Sequence, residues 1–275
     1  AQENFDPKGN NRILLATDGD FNVGVSGKGA LENLIEEKRK SGIFLTVLGF
    51  GTGNLKDEKM ETLANKGNGN YAYIDTFLEA HKVLVREFGG TLFTIAKDVK
   101  FQLEFNPAQV AAYRLIGYEN RMLKAQDFND DTKDAGELGA GHSVVALYEL
   151  IPAKSGFAPR TDPLKYQKRT ITSTSKDWCT LKLRYKSPQG EKSRLLVRQV
   201  GEKERQEWRN TSENFRFASA IAQFGMLIRE SPYKGTATYK NLYEEAKASF
   251  GKDEYGYRRA FGNLVEATEK IWGIR

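Results

Sequence analysis

Hydrophobic and polar positions follow different periods along this chain, and the changes of period divide it. Between residues 12 and 97, continuous apolar runs alternate with amphipathic stretches. Ile13, Leu14, Leu15 and Ala16 form the first run, residues 43–50 the second and residues 71–74 the third. Short continuous apolar runs fit strands buried on both faces of a parallel sheet. Over residues 30–41, Leu31, Leu34 and Ile35 share one helical face, and Glu36, Glu37, Lys38 and Lys40 the other. Gly42 stops that helix. A second helix starts near Glu58, with Met60, Leu63 and Ala64 as its apolar side. A long third helix is predicted over residues 77–93, with Leu78, His81, Val85 and Phe88 near one stripe. The order is β-α-β-α-β-α, for which right-handed crossovers are expected.

From Asp98 the period becomes two. Val99, Phe101, Leu103 and Phe105 alternate with Lys100, Gln102 and Glu104. Residues 113–117, 143–151, 179–185 and 194–200 continue the series, separated by loops rich in Asn, Asp and Gly. About five antiparallel strands over roughly 100 residues predict a β-sandwich. From about Thr211 the period is helical. Phe217, Ile221, Phe224, Gly225 and Ile228 form one stripe. Tyr239, Leu242, Tyr243, Ala246 and Phe250 form a second, and Phe261, Leu264, Val265, Thr268 and Trp272 a third. All three are expected to pack into a core. The predicted division is residues 1–97 (α/β), 98–205 (β-sandwich) and 206–275 (helical).

The chemistry begins where the first apolar run stops, at Thr17-Asp18-Gly19-Asp20. Carboxylates just past the C-terminal end of a buried strand stand at the edge where open α/β sheets bind ligands. Oxygen donors there suit Mg²⁺ or Ca²⁺. On these four residues alone, a polar strand-to-helix turn with an aspartate cap is the simpler reading. The glycines of GFGTG (residues 49–53) lack the spacing of a phosphate-binding GxGxxG, so a tight loop near the same edge is expected. The acidic loop of residues 126–141 lacks the DxDxDG order of a Ca²⁺ loop. His81 and His142 have no zinc-site spacing, and Cys179 sits at an alternating strand position, so a small buried thiol is expected.

Composition narrows the partners. The 275 residues carry 28% charged and 39% hydrophobic residues, as an ordinary globular protein does. Lys and Arg total 42 against 36 Asp and Glu, giving a net charge of +6. The basic residues are spread through amphipathic elements and form no dense block, so no nucleic-acid partner is expected. No apolar run is long enough to cross a bilayer. With Ala1 in place of an initiator Met and residues 1–11 alone before the first strand, the chain is expected to open inside a domain.

The flanking residues shift the reading of the acidic tetrapeptide. RILLATDGDFNVG (residues 12–24) resembles the third metal-site motif of a von Willebrand factor type A domain. TVLGFGTGN (46–54), KGNGNYAYIDT (66–76), TIAKDVK (94–100), FNPAQV (105–110), YRLIGYENR (113–121), DAGELGAGHSVVALYE (134–149) and FRFASAIAQFGMLIR (215–229) are similar to bacterial YfbK-type proteins. In these, such a domain precedes a C-terminal domain of unknown function. The resemblance implies the C-terminal half of a von Willebrand A-like, doubly wound parallel sheet, then the β-sandwich and a helical segment. It implies Asp18 as the metal ligand; Asp20 is adjacent but is not a required ligand. The family's two preceding metal loops, DxSxS and one with Thr, are missing, so Mg²⁺ or another divalent cation is expected in the full-length protein and none in this fragment. The implied function is metal-dependent protein–protein interaction or adhesion without catalysis, in a bacterial envelope setting. A structural scaffold of the envelope is the alternative, and a metal-assisted hydrolase or nucleotide-binding enzyme a weaker one, since no P-loop or GxSxG elbow is present. The strand at residues 13–16, apolar on both faces, is expected to pair with a second copy or with the missing N-terminal half.

Overall fold

The computed structural model describes residues 1–7, 9–18, 28–51, 56–118, 122–133, 135–157 and 174–272. The chain divides into two compact units. The first comprises Ala1–Gln102, Leu123–Val144 and Lys182–Val197; the second comprises Leu103–Met122, Val145–Leu181 and Arg198–Arg275.

The first unit is built on a parallel sheet in the order β1 (Arg12–Thr17), β2 (Phe44–Phe50), β3 (Tyr71–Ile74). Leu15 is in register with Val47, and Val47 with Tyr71. Alternation sends these side chains to one face with Leu45. There they pack with Leu31 and Ile35 of α1 (Lys28–Arg39) and with Met60, Leu63 and Ala64 of α2 (Asp57–Lys66). Leu48, Ala72 and Ile74 point the other way and pack with Ala80 of α3 (Phe77–His81) and with Val83. Val47, Met60 and Leu63 are fully buried, and each such side chain contributes about 1.5–3 kcal/mol. The turn between α2 and β3 runs against β2. Leu45 N–H donates to the Gly67 carbonyl at 2.8 Å, and a Cβ built at Gly69 would fall 1.9 Å from the Leu45 carbonyl oxygen. That approach admits no side chain, which accounts for the KGNGN sequence.

The third helix is not continuous. Thr76 caps α3, one π-helical turn follows at Lys82–Arg86, and the helix restarts as α4 (Phe88–Leu92). The Glu87 N–H reaches back to the Lys82 carbonyl at 2.9 Å, the five-residue spacing of a π turn. The restart brings Gly90 against β6 (Gly136–Gly139): a Cβ at Gly139 would overlap the Gly90 carbonyl oxygen. The expected stripe is not kept: Val85 is exposed and Val83 is buried in its place.

The second sheet has the order β6-β4-β8-β9, with β4 at Thr94–Phe105, β8 at Cys179–Lys186 and β9 at Arg194–Val200. β4 pairs antiparallel with β6, with register shifts on either side of Ala96. Asp98 adopts a left-handed backbone, φ +52°. A bulge of this kind reverses which side chains face inward. Lys100 is therefore buried at 2% exposure and Phe101 is exposed, opposite to the phase read from the sequence.

Buried Lys100 is satisfied by the acidic loop. Its ammonium donates to the carbonyls of Asp127 (3.2 Å) and Asp130 (2.6 Å). Lys186, also buried, donates to Asp98 Oδ2 at 2.6 Å and to the Asp131 carbonyl at 2.7 Å. Arg184 donates to Asn129 Oδ1 at 3.0 Å and lies over the buried Phe128 ring. Thr132 donates to Asp130 Oδ1 through both N–H and hydroxyl, which holds that carboxyl below its usual range. The loop backbone thus turns its carbonyls toward two lysine ammoniums.

In the second unit, β5 (Val110–Ile116) pairs antiparallel with β7 (Leu147–Pro152). Arg114 and Glu149 are direct cross-strand partners: Arg114 Nε donates to Glu149 Oε2 at 3.0 Å, and the guanidinium lies 4.1 Å from the centre of the Tyr233 ring. Three helices follow, α5 (Glu213–Ile228), α6 (Tyr239–Lys247) and α7 (Tyr257–Trp272). Ser212 caps α5 and Thr238 caps α6. Asp253 accepts from the N–H groups of Arg258 (3.1 Å) and Arg259 (3.0 Å), tying down the start of α7. The core is Ala220, Phe224, Leu227, Leu242, Ala246 and Val265. Ile221 and Leu264, expected in the core, are exposed instead. Among the described residues no helix is long and apolar enough to cross a membrane.

Two stability outcomes follow from these contacts. Lys186→Met leaves the half-buried Asp98 carboxylate without its ammonium and is expected to cost about 1–3 kcal/mol, whereas Lys186→Met with Asp98→Asn recovers part of the loss. Asp253→Ala removes two N–H acceptors and is expected to cost about 1–2 kcal/mol, with Asp253→Asn milder. Urea unfolding of the four variants checks both orders.

Candidate functional site

Parallel pairing puts the C-terminal ends of β1, β2 and β3 at one edge. Asp18 follows Thr17 at the end of β1 and is exposed. Gly51 follows β2 with φ +100°, and a Cβ built there would lie 3.9 Å from the Asp18 Cβ. The first residues after β1 and β2 therefore lie side by side. Tyr73 of β3 donates its hydroxyl to the Gly51 carbonyl at 2.8 Å, tying Gly51 to the third strand. β3 ends at Ile74, and Asp75 and Thr76 follow. The Thr76 hydroxyl donates to Asp75 Oδ1 at 3.0 Å and accepts from the Glu79 N–H at 3.2 Å.

This edge joins Asp18 to Gly51, Tyr73, Asp75 and Thr76 as the strand ends of one sheet. Neither Tyr73 nor Asp75 stood out from sequence. The available signal was position alone: each lies in, or just after, the third apolar run. Elsewhere in the same unit the Tyr71 hydroxyl donates to Asp57. Burial, then that bond and the Asp57 charge, holds the Tyr71 proton well above the usual phenol range.

Asp20 and residues 52–55 lie outside the described residues. His81 ends α3 and His142 follows β6, so neither belongs to this edge. Cys179 opens β8 and is buried, and burial pushes its thiol pKa up. The carbonyls of the acidic loop that could have faced a cation, those of Asp127, Asp130 and Asp131, accept from Lys100 and Lys186.

A hard divalent cation takes six or more oxygen donors. Among the described residues no three His, Cys, Asp or Glu side chains converge. Asp18 with its described neighbours does not amount to a metal site.

Three comparisons place the chain. A family model described as "Uncharacterized protein YfbK, C-terminal" matches residues 90–271, from α4 through most of α7. The chain is 40% identical over 277 residues to "Uncharacterized protein YfbK" of Escherichia coli (strain K12). That alignment covers 100% of this chain and 47% of the relative, so the chain spans about half the relative's length. Among solved structures, a von Willebrand factor type A protein from Catenulispora acidiphila aligns with a TM-score of 0.39 at 14% identity, over 90% of this chain and 57% of that one. With two thirds of its residues under the family model and the identity running its whole length, the chain belongs to the YfbK family.

Proposed function

We propose that the chain is part of a non-catalytic protein-binding module of von Willebrand A type, which engages a protein partner at the C-terminal edge of β1–β3. On this reading β1–β3 are half of a doubly wound sheet, and residues 98–205 form a β-sandwich. The observation that supports it most is the approach of Asp18 to Gly51 at the edge where such sheets bind ligands. Asp18 supplies one carboxylate, and the remaining donors of a Mg²⁺-type site come from elsewhere in the full-length protein. The setting proposed is the bacterial envelope.

The edge of the sheet supports the same reading. Among the described residues β1 is terminal in its sheet, and Ile13 and Leu14 are both exposed. A terminal strand carrying apolar side chains on both faces is a template for another strand. We assign that strand to the rest of the full-length protein or to a second copy.

Titration calorimetry of the 275-residue chain is expected to show weak or no Mg²⁺ binding, because one carboxylate leaves most of the coordination to water. Tight stoichiometric binding abolished by Asp18→Ala would contradict this. In the full-length protein the expectation reverses. Capture of the partner should require Mg²⁺, be lost with EDTA, and weaken at least tenfold in Asp18→Ala. Capture indifferent to both EDTA and Asp18→Ala would remove the metal-dependent reading.

A further inference from the structure

Among the described residues β9 (Arg194–Val200) is terminal in its sheet, with β8 on one side alone. Residues 187–193 join the two strands, a connection too short for a crossover, so they run antiparallel. The Trp178 N–H donates to the Val200 carbonyl at 2.7 Å, which points the peptide groups of Val200 toward β8. Along an antiparallel strand that direction alternates. Arg194, Leu196 and Arg198 therefore turn their N–H and C=O groups toward β8, as Val200 does. Leu195, Val197 and Gln199 turn theirs outward and present an open ladder to another strand.

The side chains divide in the same rhythm. Arg194, Leu196 and Arg198 lie on one face of the sheet, and Leu195, Val197 and Gln199 on the other. All six are exposed, Leu195 at 45% and Val197 at 56%. Among the described residues neither Arg194 nor Arg198 makes an ion pair or a hydrogen bond through its guanidinium. Asp131, beside the residue before β9, accepts from the Ser193 N–H at 3.3 Å and lies in the fields of Lys186 and Arg184. Two unpaired cations on one face and two apolar side chains on the other fit a strand of the complementary pattern. Such a strand sets a carboxylate beside each arginine and apolar residues beside Leu195 and Val197. A second copy of β9 does not fit. Antiparallel pairing centred on Leu196 sets Arg194 opposite Arg198, and pairing centred on Val197 sets the two Arg198 side chains on one diagonal. The arginines that disfavour a second copy favour an acidic strand.

We propose that β9 is a docking edge for an extended acidic segment of a partner protein, of pattern acidic–apolar–any–apolar–acidic, which adds to the sheet as a further strand. Five residues bury well below the roughly 800 Å² per partner of a stable complex, so the affinity is expected to be weak, on the order of 100 µM. This edge is separate from that of β1–β3 and does not rest on the metal-dependent reading.

Fluorescence anisotropy of the 275-residue chain with a labelled peptide containing Glu-Val-Thr-Val-Glu tests it, against the same peptide with Lys at both Glu positions. The acidic peptide is expected to bind at least tenfold more tightly. Arg194→Glu with Arg198→Glu is expected to invert that preference. Val197→Pro removes an outward N–H and none that serves β8, so binding should be lost with the circular dichroism unchanged. Hydrogen exchange should show protection by the acidic peptide at residues 194–200. Should Val197→Pro fail to fold, the inverted preference and the exchange map decide. No binding of the acidic peptide at roughly 1 mM, ten times the expected constant, overturns the proposal. So does equal binding of the two peptides, a preference unmoved by the charge reversal, or protection confined to other strands. Self-association of the peptide-free chain that Val197→Pro abolishes would make a second copy the occupant and also overturn it.

Discussion

Parallel pairing of β1, β2 and β3 is the constraint from which the first unit follows. Parallel strands cannot be joined by a tight turn, so each connection must cross back over a face of the sheet. The crossovers are α1 and α2, which bury Leu15, Leu45 and Val47 under Met60 and Leu63. The same geometry delivers every strand to one edge with the same polarity. Asp18, Gly51 and Asp75 share a location for that reason alone. A site at this edge has no need of a contiguous motif, because the chain direction of the sheet assembles it.

The second sheet poses a different problem, which is the placement of charge. Burial of an ammonium is costly unless its protons are all directed at acceptors. β4 and β8 each bury one lysine, and three backbone carbonyls of the acidic loop, with the Asp98 carboxylate of β4, accept from them. The left-handed turn at Asp98 aims that carboxylate at Lys186 and, by the same bulge, turns Lys100 inward. A loop whose composition suggests cation binding does bind cations, but they are covalent parts of the chain. The carboxylates of Asp130 and Asp131 serve the loop and its neighbour, accepting from Thr132 and from the Ser193 N–H.

How much of this was legible in sequence depends on whether the determinant was local. The strands at residues 71–74 and 194–200 and the start of β8 follow their hydrophobic runs, and α1 and α2 lie within two residues of the amphipathic stretches. The π turn at Lys82–Arg86 was not legible, since no residue type in KVLVR marks it, nor was the approach of Gly90 to Gly139 after it, half a hundred residues apart in sequence. β6 was hidden in a loop, because GELG has neither alternation nor β-branched residues and is recruited by its partner β4. The inward Lys100 was hidden for a related reason: alternation predicts facing only while no residue is inserted. At the candidate site Asp18 was legible, because a carboxylate follows directly on an apolar run. The place of Gly51 was legible too, since its glycine-rich loop ends the next apolar run at the same edge; Tyr73 was not, because what joins it to Gly51 is a hydrogen bond between neighbouring strands.

The three helices show why a periodic stripe does not by itself say which partner it faces. Helical spacing groups Leu264 with Phe261, Val265 and Trp272, yet only Phe261 and Val265 meet the core. The limit is angular. α5 and α6 cover one side of α7, and Gly262 lets the Phe250 ring approach on that side, where a Cβ would stand 2.8 Å from the ring. Drawing α7 onto Phe250 turns Leu264 away from the core and aligns it with Ala260, Ala267 and Ile271. A glycine chosen for one close contact thus sets the rotation of the whole helix, and that rotation decides which apolar residues are left to face outward.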